Sequence, residues 1–192
     1  AVAAEAVNDQ MFMLTPSASA VEVAQAGSNV FQMCFTDPNQ GASAAELMAA
    51  KWPDATIGVI YDASDAYSTG IRDGFMAKAE ELGLNIAVAD AAFTADTKAD
   101  LSTQVTKCKE AGANLVFLPF YAVEAAQVLT YANTIGYAPT FFGCDGMDGI
   151  LTTEGFDPAL AEGLMLLTPF SADASDDLTQ NFVKAYQEKH GE

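Results

Sequence analysis

Two carboxylates three residues apart, Asp145 and Asp148, follow a pair of aromatics in the stretch TFFGCDGMDG at residues 140–149. Four roles are open to an acid placed there: a turn residue, a metal ligand, a catalytic carboxylate, or the partner of a cationic ligand group. Calcium loops set oxygen ligands at alternate positions with a distal acid, and a D-x-x-D spacing lacks that series. A phosphotransfer nucleophile wants a second acid, a basic residue and magnesium beside it, and no lysine is suitably placed. Further polar groups cluster in three other short stretches. Ser17 and Ser19 lie in PSAS, Asp62, Ser64, Asp65 and Tyr67 in DASDAY, and Tyr121 directly after LVFLPF. Hydroxyls, phenols and carboxylates are thus available, but no base. Each also has a plainer role. The serines suit a cap on the helix AVEVAQAG, and the acids of DASDAY suit a strand-to-helix loop. The tyrosines suit half-buried packing, and Asp145 suits an Asx-turn with Gly146.

The elements that must position these groups are legible from hydrophobic patterning. Five β-type segments, TIGVIYD (56–62), LNIAVAD (84–90), LVFLPF (115–120), TFFGCD (140–145) and LMLLTPF (164–170), recur at intervals of roughly 25–30 residues, the spacing of strand, crossover helix and next parallel strand. Their near-continuous apolar character suits strands covered on both faces. The intervening stretches read as helices, three of them ending in Gly83, Gly112 and Gly136, the usual left-handed stops. In the third helix Leu101, Val105 and Cys108 share a face, which makes Cys108 a small core residue. The expected class is α/β, a three-layer parallel sheet forming one complete Rossmann-like lobe. The flanks look partial: DQMFMLTPSAS (9–19) reads as a strand with its loop and DDLTQNFVKAYQEKHGE (176–192) as a helix, neither with a companion in the chain. In such a sheet ligands bind at the carboxyl ends of the strands, where loops converge and helix N-termini present free N–H groups. Ser17, Ser19, Asp62, Ser64, Asp65, Tyr67, Tyr121 and Asp145 all lie at or just after the ends of predicted strands.

Composition narrows the partners. The 192 residues, 51% apolar, can fill a core, and 8 Lys+Arg against 26 Asp+Glu give a net charge of −18. That charge repels phosphate backbones and anionic headgroups, so nucleic acid is not an expected partner. A single arginine, Arg72, cannot build a phosphate clamp. His190 is the only histidine and lies two residues from the end, which argues against a Ser-His-Asp triad, a Cys-His pair or a zinc enzyme. Cys34, Cys108 and Cys144 have neither a CxxC nor a zinc-like spacing.

The stretches MFMLTPSASA, CFTDPNQGASAAELM, IGVIYDASDAYSTGIRDGF, LVFLPFYAVEAAQVLTYANTIG and FFGCDGMDG resemble, in order and spacing, the amino-acid-binding periplasmic substrate-binding proteins of ABC importers, the Leu/Ile/Val-binding type with the type I periplasmic-binding fold. That family has two α/β lobes joined by three crossings, with the ligand between them. The resemblance implies a chain made of partial lobe-one elements and a crossover (residues 1–35), lobe two (36–168), and a second crossover with a helix returning to lobe one (169–192). It implies that Ser17, chiefly through its backbone, and Ser19, through its hydroxyl, contact the ligand's amino-acid head. Tyr67 and Tyr121 then approach from lobe two, and Asp145 pairs with the α-ammonium. A buried ammonium needs a carboxylate and oxygen acceptors, which agrees. This chain departs from the pattern in having Asp where the best-known members have Glu, one methylene shorter, and Ser68 where Gly often follows the tyrosine.

The implied function is extracytoplasmic capture of a branched-chain or other apolar amino acid for a membrane permease, without catalysis, cofactor or metal. The expected location is the periplasm or, through a lipid anchor, the cell surface. A ligand-sensing receptor ectodomain with the same fold is an alternative, as is an Asp145-dependent α/β enzyme, against which the missing bases argue. The exposed edge of an incomplete lobe further implies dimerisation or strand exchange.

Overall fold

The structure, a computed structural model, describes residues 2–191. Its centre is a five-stranded, wholly parallel sheet built from β3 (Thr56–Asp62), β4 (Asn85–Phe93), β5 (Leu115–Leu118), β6 (Thr140–Gly143) and β7 (Met165–Leu166), in the spatial order β4-β3-β5-β6-β7. Helices α4 (Ala66–Leu82), α5 (Ser102–Glu110) and α6 (Ala122–Thr134) supply the crossovers from β3 to β6, three 3₁₀ turns link β6 to β7, and α3 (Asp37–Lys51) leads into β3.

Strand alternation divides the core into two layers. Ile57 and Val59 of β3 and Leu115 and Phe117 of β5 point to one face, where they pack with Ala44, Met48, Ile71 and Phe75 of α3 and α4. Ile60, Val116 and Leu118 point to the other, against Val105 and Cys108 of α5 and Ala125, Val128 and Leu129 of α6. The result is helix, sheet, helix. Cys108 is fully buried, as its helical face requires.

Helices α3 and α4 cross unusually close together. A Cβ on Gly41 would strike the backbone of Ile71 and Phe75, and one on Gly74 the backbone of Pro38, so the crossing depends on both glycines. Helix α4 begins where Asp65 accepts from the N–H of Ser68 and ends at Gly83, whose φ of 70° only glycine adopts readily.

The N-terminal flank differs from the sequence expectation, whereas the C-terminal flank is the unaccompanied helix expected of it. The N-terminal segment has companions: β1 (Met13–Thr15) pairs in parallel with β2 (Val30–Gln32), flanked by α1 (Val2–Asn8) and α2 (Val21–Gln25), in a separate two-stranded sheet. The sequence reading named no strand at residues 30–32, and that stretch supplies one before the chain enters α3. The segment LMLLTPF shrinks to the two paired residues of β7, because Thr168 turns its hydroxyl onto Phe170 and Pro169 has no N–H to offer a ladder. The C-terminal helix, α7 (Asp177–His190), is capped by Asp176 on the N–H of Thr179 and buries no residue. Its Phe182 and Tyr186 stay exposed.

Candidate functional site

Within the main sheet, β3 and its sequence successor β4 run to one side while β5 to β7 run to the other, so the direction of winding reverses between β3 and β5. Loops leaving the carboxyl ends of those two strands diverge and open a crevice, the usual ligand position in such sheets. Tyr67 enters it from the first turn of α4, after β3, and Tyr121 from the residue preceding α6, after β5. Their rings stack with centroids 5.0 Å apart and planes 21° from parallel.

Asp145 follows β6 and opens a short 3₁₀ turn, Asp145–Met147. It makes no Asx-turn with Gly146. Its Oδ1 accepts instead from the Tyr67 hydroxyl at 2.6 Å and from Nε2 of Gln40 at 2.8 Å. The same tyrosine oxygen accepts from the N–H of Gly146 at 2.8 Å. A Cβ on Gly146 would lie 2.8 Å from that oxygen and 3.0 Å from the Tyr121 ring, so glycine is what lets the turn reach the stacked pair. The other carboxylate oxygen, Oδ2, accepts from no described residue. Asp148, by contrast, accepts from the N–H of Gly149 and is a turn residue.

The wall facing the tyrosines is the loop after β1. Ser17, Ala18 and Ser19 line a cleft of about 470 Å³ together with Asp65, Tyr67, Tyr121, Asp145 and Gly146. The structure thus brings Ser17, Ser19, Tyr67, Tyr121 and Asp145 around one opening, and the remaining candidates Asp62 and Ser64 are not among its lining residues. Asp62 accepts from the N–H and the hydroxyl of Ser64, the loop role open to it from sequence. Neither serine caps α2, whose N-cap is Ala20 with no side-chain bond. Ser17 is exposed, whereas Ser19 is buried and held through its carbonyl, which accepts from the N–H of Asp37 and from Nε2 of Gln32.

The electrostatics are uniformly acidic. No lysine or arginine lines the cleft, while Asp65 and Asp145 do. Burial pushes the Tyr67 phenol far above its ordinary value, with Asp145 adding to the shift, so it is a permanent proton donor. Burial likewise pushes Tyr121 up to about 12, with Asp65, Asp37 and Asp145 contributing.

Two further residues escaped the sequence reading. Asp37, in the first turn of α3, is 1% exposed, and among the described residues neither of its carboxylate oxygens has a hydrogen-bond partner of acceptable geometry. Burial lifts its pKa to about 6 against a downward pull from the neighbouring Ser19 hydroxyl, and Asp145, Asp65 and Glu22 push it further up. Gln40, one turn on and 4% exposed, holds Asp145. The signal that could have found them is two strongly polar residues on the face of α3 that otherwise carries Ala44 and Met48.

Sheet order and cleft position are those of a Rossmann-like ligand-binding lobe. Residues 1–192 match the family model described as periplasmic binding protein, and the chain belongs to that family. It is 26% identical over 182 residues to the leucine-, isoleucine-, valine-, threonine- and alanine-binding protein of Pseudomonas aeruginosa, an alignment covering 94% of this chain and 44% of that protein. Among solved structures it resembles a leucine binding protein from Thermotoga maritima, with a TM-score of 0.84, 28% identity and coverage of 100% of this chain and 54% of the other. It also resembles a branched-chain amino acid transporter substrate binding protein from Streptococcus pneumoniae, solved with isoleucine, at a TM-score of 0.78 and 25% identity, covering 99% and 53%. The chain therefore spans about half the length of the relatives it matches. These relatives are solute-binding proteins.

Proposed function

We propose that this chain supplies the second lobe, and part of the first, of an extracytoplasmic binding protein that captures an amino acid with an apolar, most suitably branched, side chain and hands it to the permease of an ABC importer. The observation that carries this is the state of Asp145. Two protein donors fix Oδ1, while among the described residues Oδ2 has no partner and no lysine or arginine lines the cleft. A carboxylate so held suits an ammonium group, which gains a charge-assisted bond without first displacing a lysine or arginine.

The serine loop supports the same reading from the opposite wall. Ser17 presents exposed backbone and hydroxyl to a ligand carboxylate, and the stacked tyrosines close the sheet end of the cleft. Residues 1–35 and 169–192 belong in this reading to the first lobe and its crossovers, and residues 36–168 to the second. Closure of one lobe on the other by hinge motion would then bury the ligand. The working location is the periplasm or the outer face of the membrane, and no helix among the described residues is long and apolar enough to cross it.

Calorimetry with leucine, isoleucine, valine and a wider amino-acid panel tests the proposal, on this chain and on the full-length protein that carries it. Tight binding of a branched-chain amino acid by the full-length protein is expected, with feeble binding by the chain alone because one wall of the cleft is largely missing. Tight binding by the chain alone overturns the half-site view, and absence of amino-acid binding by the full-length protein overturns the ligand class.

A further inference from the structure

We infer that Gln40 is a positioning residue, which sets the orientation of the ligand-facing acid from outside the cleft. The inference rests on the reading of Asp145 as the ammonium partner. Gln40 is not a lining residue of the cleft; it stands behind Asp145 on the buried side of α3, at 4% exposure. Its orientation follows from chemistry. The amide has one donor end and one acceptor end, and only the donor end can face a carboxylate oxygen at 2.8 Å. With Tyr67 bonded to the same Oδ1 at 2.6 Å, that oxygen is engaged from two elements, α3 and α4, and the carboxylate cannot rotate about its last bond without losing both donors. Oδ2 is thereby directed away from Tyr67 and Gln40.

The cost of this arrangement is visible at the other end of the same amide. Oε1 of Gln40 is buried and has no hydrogen-bond partner among the described residues. A buried carbonyl oxygen left unpaired is unfavourable, and a Leu or Met at this position would fill similar space without it. A glutamine is the uncharged residue that donates to Asp145 from that depth. Gln40 also lines a cavity of about 200 Å³ with Phe35, at the end of the first crossover, and with Leu167 and Pro169, where the lobe passes into the second.

The inference is tested on the full-length protein with leucine as the probe, using Gln40→Leu, Gln40→Glu and Asp145→Asn. Gln40→Leu removes the donor, and the expected loss of leucine affinity is about ten-fold or more, the size of one hydrogen bond to a charged group. Gln40→Glu sets a second carboxylate against Asp145, and such a pair holds one shared proton only when the pH is low enough. Its leucine affinity is therefore expected to recover as pH falls from about 7 to about 5, a range in which the probe's own charges hardly change. Asp37, Asp65, Tyr67, Tyr121 and Cys144 face the same region, and because Asp37 titrates in the same window both Gln40 variants are measured in an Asp37→Asn background, so that the difference between the two pH profiles isolates the new pair. A merely structural glutamine would give two parallel profiles.

If Asp145→Asn weakens binding but both Gln40 variants keep full affinity with parallel profiles, the positioning role falls and the ammonium reading stands. If Asp145→Asn leaves affinity unchanged, the ammonium reading itself falls. A crystal structure of the Gln40→Leu protein decides independently of any ligand: an Asp145 carboxylate still seated on Tyr67 in the same orientation overturns the inference, and a rotated one supports it.

Discussion

The Tyr67 hydroxyl stands between Asp145, to which it donates at 2.6 Å, and the N–H of Gly146, from which it accepts at 2.8 Å, so one phenol ties the end of β6 to the start of α4. Tyr121, stacked on it, makes no hydrogen bond through its own hydroxyl among the described residues. The two rings look equivalent in the sequence, but only one carries a network.

That asymmetry predicts different costs for the same substitution. Tyr67→Phe leaves the Gly146 N–H without its acceptor and Asp145 with one donor fewer, and is expected to cost about 1–3 kcal/mol of stability. Tyr121→Phe keeps the stacked ring and is expected to change stability by less than about 0.5 kcal/mol. Urea unfolding of the two variants side by side checks this, and equal costs would show that the hydroxyl of Tyr67 contributes nothing beyond packing.

The helix crossing gives a second contrast. Gly41→Ala and Gly74→Ala drive a methyl into the backbone of the facing helix, which cannot yield as a side-chain end would, and each is expected to cost about 1–3 kcal/mol or more. Gly83→Ala meets nothing within 4 Å and bears only the strain of its left-handed backbone, about 1–2 kcal/mol. The double variant Gly41→Ala/Gly83→Ala should be additive, since the sites share no partner. Thermal unfolding of the three singles and the double measures all of this.

Asp37 predicts a pH dependence. The folded protein holds its proton up to about pH 6, whereas the ordinary value is 3.8, so the folded state binds more protons between those limits. This group's contribution to stability therefore falls as pH rises through that window. Asp37→Asn removes the titration, and at pH 7 the variant is expected to be more stable, by on the order of 2–3 kcal/mol. Urea midpoints from pH 4 to pH 7 should converge at the acid end and separate towards neutrality. Midpoints that run parallel would mean that the wild-type carboxylate is charged in both states throughout.

How much of this was legible in the sequence depended on how far each feature is fixed locally. The limits of α4 were, because Asp65 and Gly83 act on their immediate neighbours. The strand-end residues Tyr67, Tyr121 and Asp145 were too, because a parallel sheet sends every loop of one kind to the same edge. The strand β2 was not: its three residues include Phe31, 48% exposed, and only pairing with β1 across the chain makes them a strand. Asp37 and Gln40 were hidden for the opposite reason. They lie at the start of a helix, where polar residues are ordinary; their sharing a face with Ala44 and Met48 hints at burial, but nothing local names Ser19 and Asp145 as what they meet.

Asp145→Ala is the substitution that separates the structural role of the acid from its proposed ligand role. Removing the carboxylate strands two donors, the Tyr67 hydroxyl and the Gln40 amide, so some loss of stability, about 1–3 kcal/mol, is expected whatever the ligand does. An ammonium brought into the cleft then loses its counter-charge as well, and in the full-length protein leucine affinity should fall by several kcal/mol, as when one partner of a buried ion pair is removed. A companion ligand makes the distinction sharp. 4-Methylpentanoate has leucine's side chain and carboxylate but no ammonium, so the wild-type protein should strongly reject it, leaving Asp145 unpaired when it binds. Asp145→Ala should bind the two compounds with nearly equal affinity. If the variant still prefers leucine as strongly as the wild type does, the acid serves only to seat Tyr67 and Gln40, and the ammonium must be held elsewhere.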